Sequence, residues 1–215
     1  MIGVDEAGRG PWAGPVVAAA VILPAGFGVL QCHLPHQDEL LRELNDSKKL
    51  TERRRKSLIK PICATALGVG VGISHPTLID DINISQANYA AMTIAINKAI
   101  RAASKHPTGQ LPLTPELITL IDGPHIIPYL NHTQRAIVKG DGRSYHIAAA
   151  SVIAKIVRDK IMIAADRRYP GYGFAQHKGY GTKVHQTALN ERGPCPIHRL
   201  SYRPVKEAQR AHQQD

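Results

Sequence analysis

What this 215-residue chain lacks narrows its class before any motif is considered. No apolar run approaches the ~18 residues that a membrane-spanning helix requires. The segment PVVAAAVILP at 15–24 is far too short and is flanked by prolines. The N-terminus lacks the basic-then-apolar order of a secretory leader, because Asp5 and Glu6 come first. These absences predict a soluble, cytoplasmic protein with no membrane partner. Cysteine is scarce: Cys32, Cys63 and Cys195 are an odd, scattered set without a C-x-x-C pair, which argues against a disulfide framework or a zinc ribbon. Cys195 with His198, and Cys32 with His33 and His36, form two loose clusters. Their spacings match no zinc pattern, so they read as ordinary loop residues. Internal repeats and low-complexity tracts are also missing.

Negative charge is in short supply. Lysine and arginine total 27 against 17 aspartates and glutamates, and residues 139–215 carry +8 of the net +10. A basic face of this kind attracts a polyanion, and nucleic acid is the commonest one. A basic protein that is merely soluble has the same balance, so charge alone does not decide. What the chain does have is 43% apolar residues, enough for one sizeable core and a single domain over 1–215.

The apolar patterns give an order of elements. MIGVDEAG and PVVAAAVIL are β-rich runs around a Gly/Pro turn and predict a hairpin. Residues 25–46 are irregular, with a short helix expected at 38–44. LTERRRKSLIKPI predicts a basic amphipathic helix with Thr51 as N-cap and Leu58, Ile59 and Ile62 on one face. Residues 66–74 read as a strand thinned by glycines, and 76–103 as one helix with Ala87, Ala91, Ile94, Ala95 and Ala99 at helical spacing. Residues 104–115 are a Pro-rich loop. ELITLIDG and QRAIVKGD predict two more strands, each ending in an acid beside glycine. A long helix over 144–169 follows, then a Gly/Tyr-rich turn, a short helix near 182–191 and a basic tail. Helices between strands imply a mixed sheet covered by helices.

Four acids stand out by position: Asp5 and Glu6 on the first strand, Asp122 after LITLI and Asp141 after AIVKG. Acids placed where apolar strands run out can converge at one edge of a sheet, and neighbouring carboxylates repel unless a cation lies between them. Mg²⁺ or Mn²⁺, hard ions that prefer oxygen ligands, suit such a set. Two such ions form a phosphodiester-cleaving clamp. Taken singly, Asp122 before Gly123-Pro124 and Asp141 before Gly142 read more readily as turn residues. Asp5-Glu6 is harder to set aside, since a core strand rarely carries two adjacent acids without a partner. Gly8-Arg9-Gly10-Pro11-Trp12-Ala13 also matches a relaxed dinucleotide fingerprint. The acids before it would face the pyrophosphate and the prolines suit a following helix poorly, which rejects that use. Close approach of bare backbone to a sugar-phosphate chain is the better use of these glycines.

The blocks GVDEAGRGPWAGPVVAAAVIL, NDSKKL, IDG, KGD, IAAASVIAKIVRD, HKGYGTKVH and GPCPIHRLSYRPV occur in the order seen in the ribonuclease HII family, and the resemblance runs from Gly3 to about Val205. It implies an α/β, RNase H-like fold: a five-stranded mixed sheet flanked by helices, with extra C-terminal helices from about residue 170. It also implies a metal-dependent endoribonuclease, acting as a monomer, that cleaves the RNA strand of RNA–DNA hybrids. Such an enzyme nicks ribonucleotide-containing duplex DNA 5′ of the embedded ribonucleotide and leaves 5′-phosphate ends. The catalytic, metal-binding acids carry over onto Asp5, Glu6, Asp122 and Asp141. The motif that senses the 2′-hydroxyl falls on Gly8, Arg9 and Gly10, and the tyrosine that packs on the junction sugar on Tyr180. Asn45, Lys48 and Lys49 resemble a phosphate-contacting block, and Ser151 and Lys155 are further candidates for backbone contact. Asp5 is expected to serve both ions, Glu6 and Asp122 the one near the leaving group, and Asp141 the one near the attacking water.

The chain departs from the family pattern in a longer segment between VILP and NDSKKL, an extended loop before LITLIDG, Cys195 in place of a more familiar serine, and Leu200 and Tyr202 near the end. None of these touches the four acids. His177 and His185, which flank Tyr180, suit either phosphate contact or a structural role. Arg53-Arg54-Arg55-Lys56 suits a solvated helix face as well as a nucleic-acid contact. Two rival readings are a non-catalytic nucleic-acid-binding module and an enzyme of the sister ribonuclease HIII type. The first leaves four acids unexplained on a surface that attracts phosphate. Arg9, where the sister family usually shows lysine, and the absence of a preceding domain weigh against the second.

Overall fold

The computed structural model describes residues 1–27, Leu44, 50–107 and 117–213. The block Asn45, Lys48 and Lys49, the cluster Cys32, His33 and His36, and most of the expected helix at 38–44 lie outside these residues. Five strands form one mixed sheet: β1 (Ile2–Ala7), β2 (Val16–Ile22), β3 (Gly68–Ser74), β4 (Thr119–Asp122) and β5 (Gln134–Ile137), in the order β3-β2-β1-β4-β5. β1 pairs antiparallel with β2 and β2 with β3, whereas β4 runs parallel to both β1 and β5.

Among the described residues these helices accompany the sheet: α1 (Glu52–Thr65), α2 (Pro76–Ala103), α3 (Tyr145–Arg168), α4 (Phe174–His177), α5 (Lys183–Arg192) and α6 (Arg203–Ala211). β2 is buried along its whole length, which explains its unbroken apolar run. Its alternate residues serve two cores. Val16, Ala18, Ala20 and Ile22 pack with Ala87, Ala91, Ala95 and Ala99 of α2. Ala19 and Val21 pack on the other side with Leu58 and Ile62 of α1 and with α3.

The same alternation positions the first acids. Ile2 and Val4 join the α2 side, so Asp5 faces the α3 side and Glu6 the α2 side. Val4 lies opposite Ile121, and Asp5 and Asp122 are the next residues on these two parallel strands.

The structure departs from the sequence expectations in four places. The helix at 76–103 breaks at Asn83, whose φ of 66° is non-helical. The Asn83 carboxamide oxygen accepts from Ser85 N at 3.0 Å and Gln86 N at 3.2 Å and so caps a second helical segment. Ile94, expected on the buried stripe, is exposed. Asp141 does not end a strand; it sits in a one-turn 3-10 helix, Gly140–Gly142, after β5. The basic tail is the helix α6, which buries Val205 and Ala208. Thr51 caps α1 as expected, its hydroxyl accepting from Arg54 N at 3.3 Å. No described helix is long and apolar enough to cross a membrane.

Candidate active site

β1 brings Asp5 and Glu6 to the end of the central strand, and the neighbouring parallel strand brings Asp122 beside them. Asp5 is 7% exposed, and one of its carboxylate oxygens accepts from Glu6 N at 2.7 Å. Burial pushes its carboxyl well above the usual aspartate range, and the charges of Glu6, Asp122 and Asp141 push it further. Asp5 is thus electrically coupled to each of the other three acids. Glu6 is raised as well, first by burial; Arg9, 3.6 Å away, and the Asn88 side chain oppose that rise, and Asp122 adds to it. Asp122 Oδ1 accepts from Gly140 N at 2.6 Å, which fixes the 3-10 turn carrying the buried Asp141.

A cleft of about 370 Å³ opens against these acids. Glu6 and Asp141 line it together with the turn Gly8-Arg9-Gly10, Ser151 and Lys155 of α3, and Tyr180. The structure therefore gathers eight of the residues singled out in the sequence around one opening. Their individual settings differ. Arg9 spends its guanidinium on Glu6. Lys155 Nζ lies 2.8 Å from Asp159, and the Ser151 hydroxyl donates to Ala148 O of its own helix at 2.8 Å. Tyr180 is 47% exposed, with its ring near the cleft mouth. His177 and His185, candidates for phosphate contact, are buried beneath the Tyr180 loop instead.

Arg55 of α1 also lines the cleft, so one member of the basic run faces the site. Other residues that shape the site carried no sequence signal. A second cleft, about 200 Å³, lies on the far side of Glu6 between Asp122, Asn88 and His125. Arg199, fully buried, holds the glycine turn from the C-terminal segment. Its guanidinium donates to Gly8 O at 2.6 Å, Arg9 O at 2.8 Å and Gly14 O at 3.0 Å. Tyr202 adds a hydroxyl bond to Arg9 O at 2.7 Å. Arg158 of α3, also buried, donates to Pro15 O and Ala13 O. Burial and the neighbouring Arg199 lower its guanidinium to about 10. With the Gly8 and Arg9 carbonyls turned inward to arginine, the turn is rigid before any ligand arrives.

The donor set suits a hard divalent cation: four carboxylates with oxygen donors, coupled through Asp5, with burial already penalising the charge of Asp5 and Glu6. Among the described residues no three His, Cys, Asp or Glu side chains stand close enough to form a ready-made ion cage, and this includes Cys195 and His198. A cation among the acids would relieve their mutual repulsion.

Known proteins share the sequence pattern and the fold of this chain. The family model for ribonuclease HII matches residues 2–205. The ribonuclease HII of Geotalea daltonii is 49% identical over 207 residues, covering 96% of this chain and 84% of its own. Among solved structures, the ribonuclease H2 of Pyrococcus horikoshii OT3 superposes with a TM-score of 0.74 at 21% identity, covering 100% of this chain and 99% of its own. Bst-RNase HIII in complex with Mn²⁺ gives 0.68 at 19% identity, covering 100% of this chain and 70% of its own. Three acids at the ends of two neighbouring strands with a fourth on the adjoining 3-10 turn, a glycine turn clamped beside them and a match along nearly the whole chain lead to one assignment: the protein belongs to the ribonuclease HII family, ribonucleases H that cleave RNA within RNA–DNA hybrids.

Proposed function

We propose that this chain, beyond degrading the RNA strand of hybrids, nicks duplex DNA on the 5′ side of a single embedded ribonucleotide and works as a monomer. The observation that supports this most is the meeting of Glu6, Asp141, the Gly8-Arg9-Gly10 turn and Tyr180 around one cleft. Cutting groups and sugar-sensing groups then share an opening.

Asp5, Glu6, Asp122 and Asp141 would hold Mg²⁺ or Mn²⁺, with Asp5 the shared ligand; the Mn²⁺ complex of Bst-RNase HIII supports this choice of ion. Bound there, the ions supply positive charge for hydrolysis of the phosphodiester and for the departing 3′-oxygen. The protein's own groups do the rest. The backbone of Gly8-Arg9-Gly10, held by Arg199, presents itself to the sugar and tests for a 2′-hydroxyl. Tyr180 stacks on the adjoining sugar, a sequence-tolerant contact. Arg9 neutralises part of the Glu6 charge. Lys155, Ser151 and Arg55 line the path of the phosphate backbone, and Asn45, Lys48 and Lys49 join that path on the strength of the family resemblance.

The deciding experiment incubates the protein with duplex DNA carrying one ribonucleotide in Mg²⁺, Mn²⁺ or EDTA. The expected product is a nick 5′ to the ribonucleotide with either metal and none in EDTA. Cleavage of long hybrids without any nick in this substrate would overturn the proposal while leaving the family's hybrid activity intact.

A further inference from the structure

Three histidines are packed under the Tyr180 loop, outside the acid site. His185 and His198 are 0% and 2% exposed, and His177 is 7% exposed. The His177 and His185 rings stack at 4.4 Å, and Phe174 meets all three edge-on or tilted. The contacts of His185 and His198 form a chain. His185 Nδ1 lies 2.9 Å from Tyr180 O, His185 Nε2 lies 3.0 Å from His198 Nε2, and His198 Nδ1 lies 2.9 Å from Cys195 N.

The Tyr180 end of this chain sets its polarity. Tyr180 O can only accept, so His185 Nδ1 carries a proton and donates to it. The neutral ring then leaves His185 Nε2 as an acceptor, and His198 Nε2 must donate. That leaves His198 Nδ1 to accept, and the Cys195 N–H faces it. Cys195 O and Sγ also lie 3.2 Å from His198 Nδ1, so the Cys195 end tolerates either polarity, whereas the opposite one would set two acceptors against each other at Tyr180 O. His177 is fixed independently: it accepts from Gly179 N at Nδ1 (3.1 Å), so Nε2 donates to Tyr172 O at 2.7 Å. Burial lowers both His185 and His198 to about 4, so the rings are neutral near pH 7.

We propose that the chain Cys195 → His198 → His185 → Tyr180 is a directed relay of hydrogen bonds that holds the Tyr180 backbone, and so aims its ring at the substrate sugar. His185 and His198 are positioning residues for the nicking reaction. The inference rests on the reading of Tyr180 as a substrate-stacking residue. The relay ties residues 195–198 to residue 180, so the C-terminal segment reaches the backbone that carries a ring in the cleft. A histidine pair does this better than one long side chain, because two rigid rings leave few rotamers to lose.

Two measurements test it. Long-range ¹H–¹⁵N spectra at neutral pH should show protons on Nδ1 of His185, Nε2 of His198 and Nε2 of His177; a proton on Nε2 of His185 or Nδ1 of His198 overturns the relay. A double-mutant cycle on nicking then combines Tyr180→Ala with His185→Phe, which fills the space but can neither donate nor accept. Each single change should lower kcat/KM at least tenfold, and the double variant should fall no further than the worse single. His185→Gln, which keeps a donor and an acceptor, should recover most of the loss. Losses that multiply in the double variant would show a role separate from Tyr180 and sink the proposal. Full nicking by Tyr180→Ala would instead overturn the stacking reading, whereas a loss there with none in His185→Phe would overturn the relay alone. If His185→Phe does not fold, the spectra of the unaltered protein still decide.

Discussion

Asp5 shows how a single residue can serve the reaction at the expense of the fold. Its carboxyl is raised by burial and by three like charges, so the folded chain holds a proton there more tightly than the unfolded chain does. The stability this adds is full below the ordinary aspartate value and is lost as pH rises through the raised value. At neutral pH without metal, burying Asp5 beside three other acids therefore costs stability. Asp5→Asn keeps an oxygen to accept from Glu6 N and removes the charge. In EDTA at pH 7 it should raise stability by ~0.5–2 kcal/mol, or ~1–8 °C in melting temperature for a chain of this size, and the gain should vanish below about pH 4. Mn²⁺ should stabilise the parent and leave the variant nearly unchanged in a calorimetric scan. The two glycines of the turn separate in a similar way. Gly8 has φ of +99°, and a Cβ there would meet Arg158 Nε at 2.0 Å; at Gly10 the nearest atom is Tyr180 Cε1, 4.0 Å away. Gly8→Ala should lower the melting temperature clearly. Gly10→Ala should keep it and yet lose nicking, because the added methyl narrows the gap to Tyr180 rather than straining the chain. Equal melting losses in both would refute this division.

At the scale of elements, what could be foreseen followed from local pattern. The β1–β2 hairpin, α1 with its Thr51 cap, β3 and the long α3 were legible because each carries its own periodicity or cap. The break in α2 was not legible, since Ala87 to Ala99 keep one stripe through it and only the backbone of Asn83 turns aside. The strand-end positions of Asp5, Glu6 and Asp122 were legible because apolar strands end where polar residues begin, whereas the 3-10 turn that carries Asp141 has no such local mark. Arg199 and the histidine relay were not: Arg199 meets Arg9 across 190 positions of sequence, and nothing local marks such a pairing. The glycines of β3 hold a testable element-scale property. Gly70 faces Ala95 O of α2, and a Cβ would come within 2.0 Å of that backbone oxygen. Helix and sheet approach so closely that no side-chain adjustment relieves the clash. Gly70→Ala should cost about 1–3 kcal/mol through overpacking, visible as a lower urea midpoint. A midpoint unchanged from the parent would mean that α2 is free to shift outward.

For the molecule as a whole, acid and base are divided in a way that binding can report. The chain carries a net charge of +10, yet its cleft holds Glu6 and Asp141 alongside Arg55 and Lys155. Affinity for a hybrid without metal must come from the basic groups against the repulsion of the acids. Each phosphate neutralised releases counterions, so the logarithm of affinity falls linearly with the logarithm of salt. Arg55→Ala and Lys155→Ala should each weaken hybrid binding and reduce the magnitude of that slope by about 1, measured by fluorescence anisotropy in EDTA. Asp122→Asn removes a negative charge without adding a phosphate contact. It should bind at least as well as the parent in EDTA, with the same slope, and lose cleavage by orders of magnitude when Mg²⁺ or Mn²⁺ is supplied. If Arg55→Ala left the slope intact, α1 would be a solvated basic face and the phosphate path would run along α3 alone. If Asp122→Asn still cleaved, the strand-end acids would not be the metal site. The two variants thus separate binding charge from cutting charge within one opening.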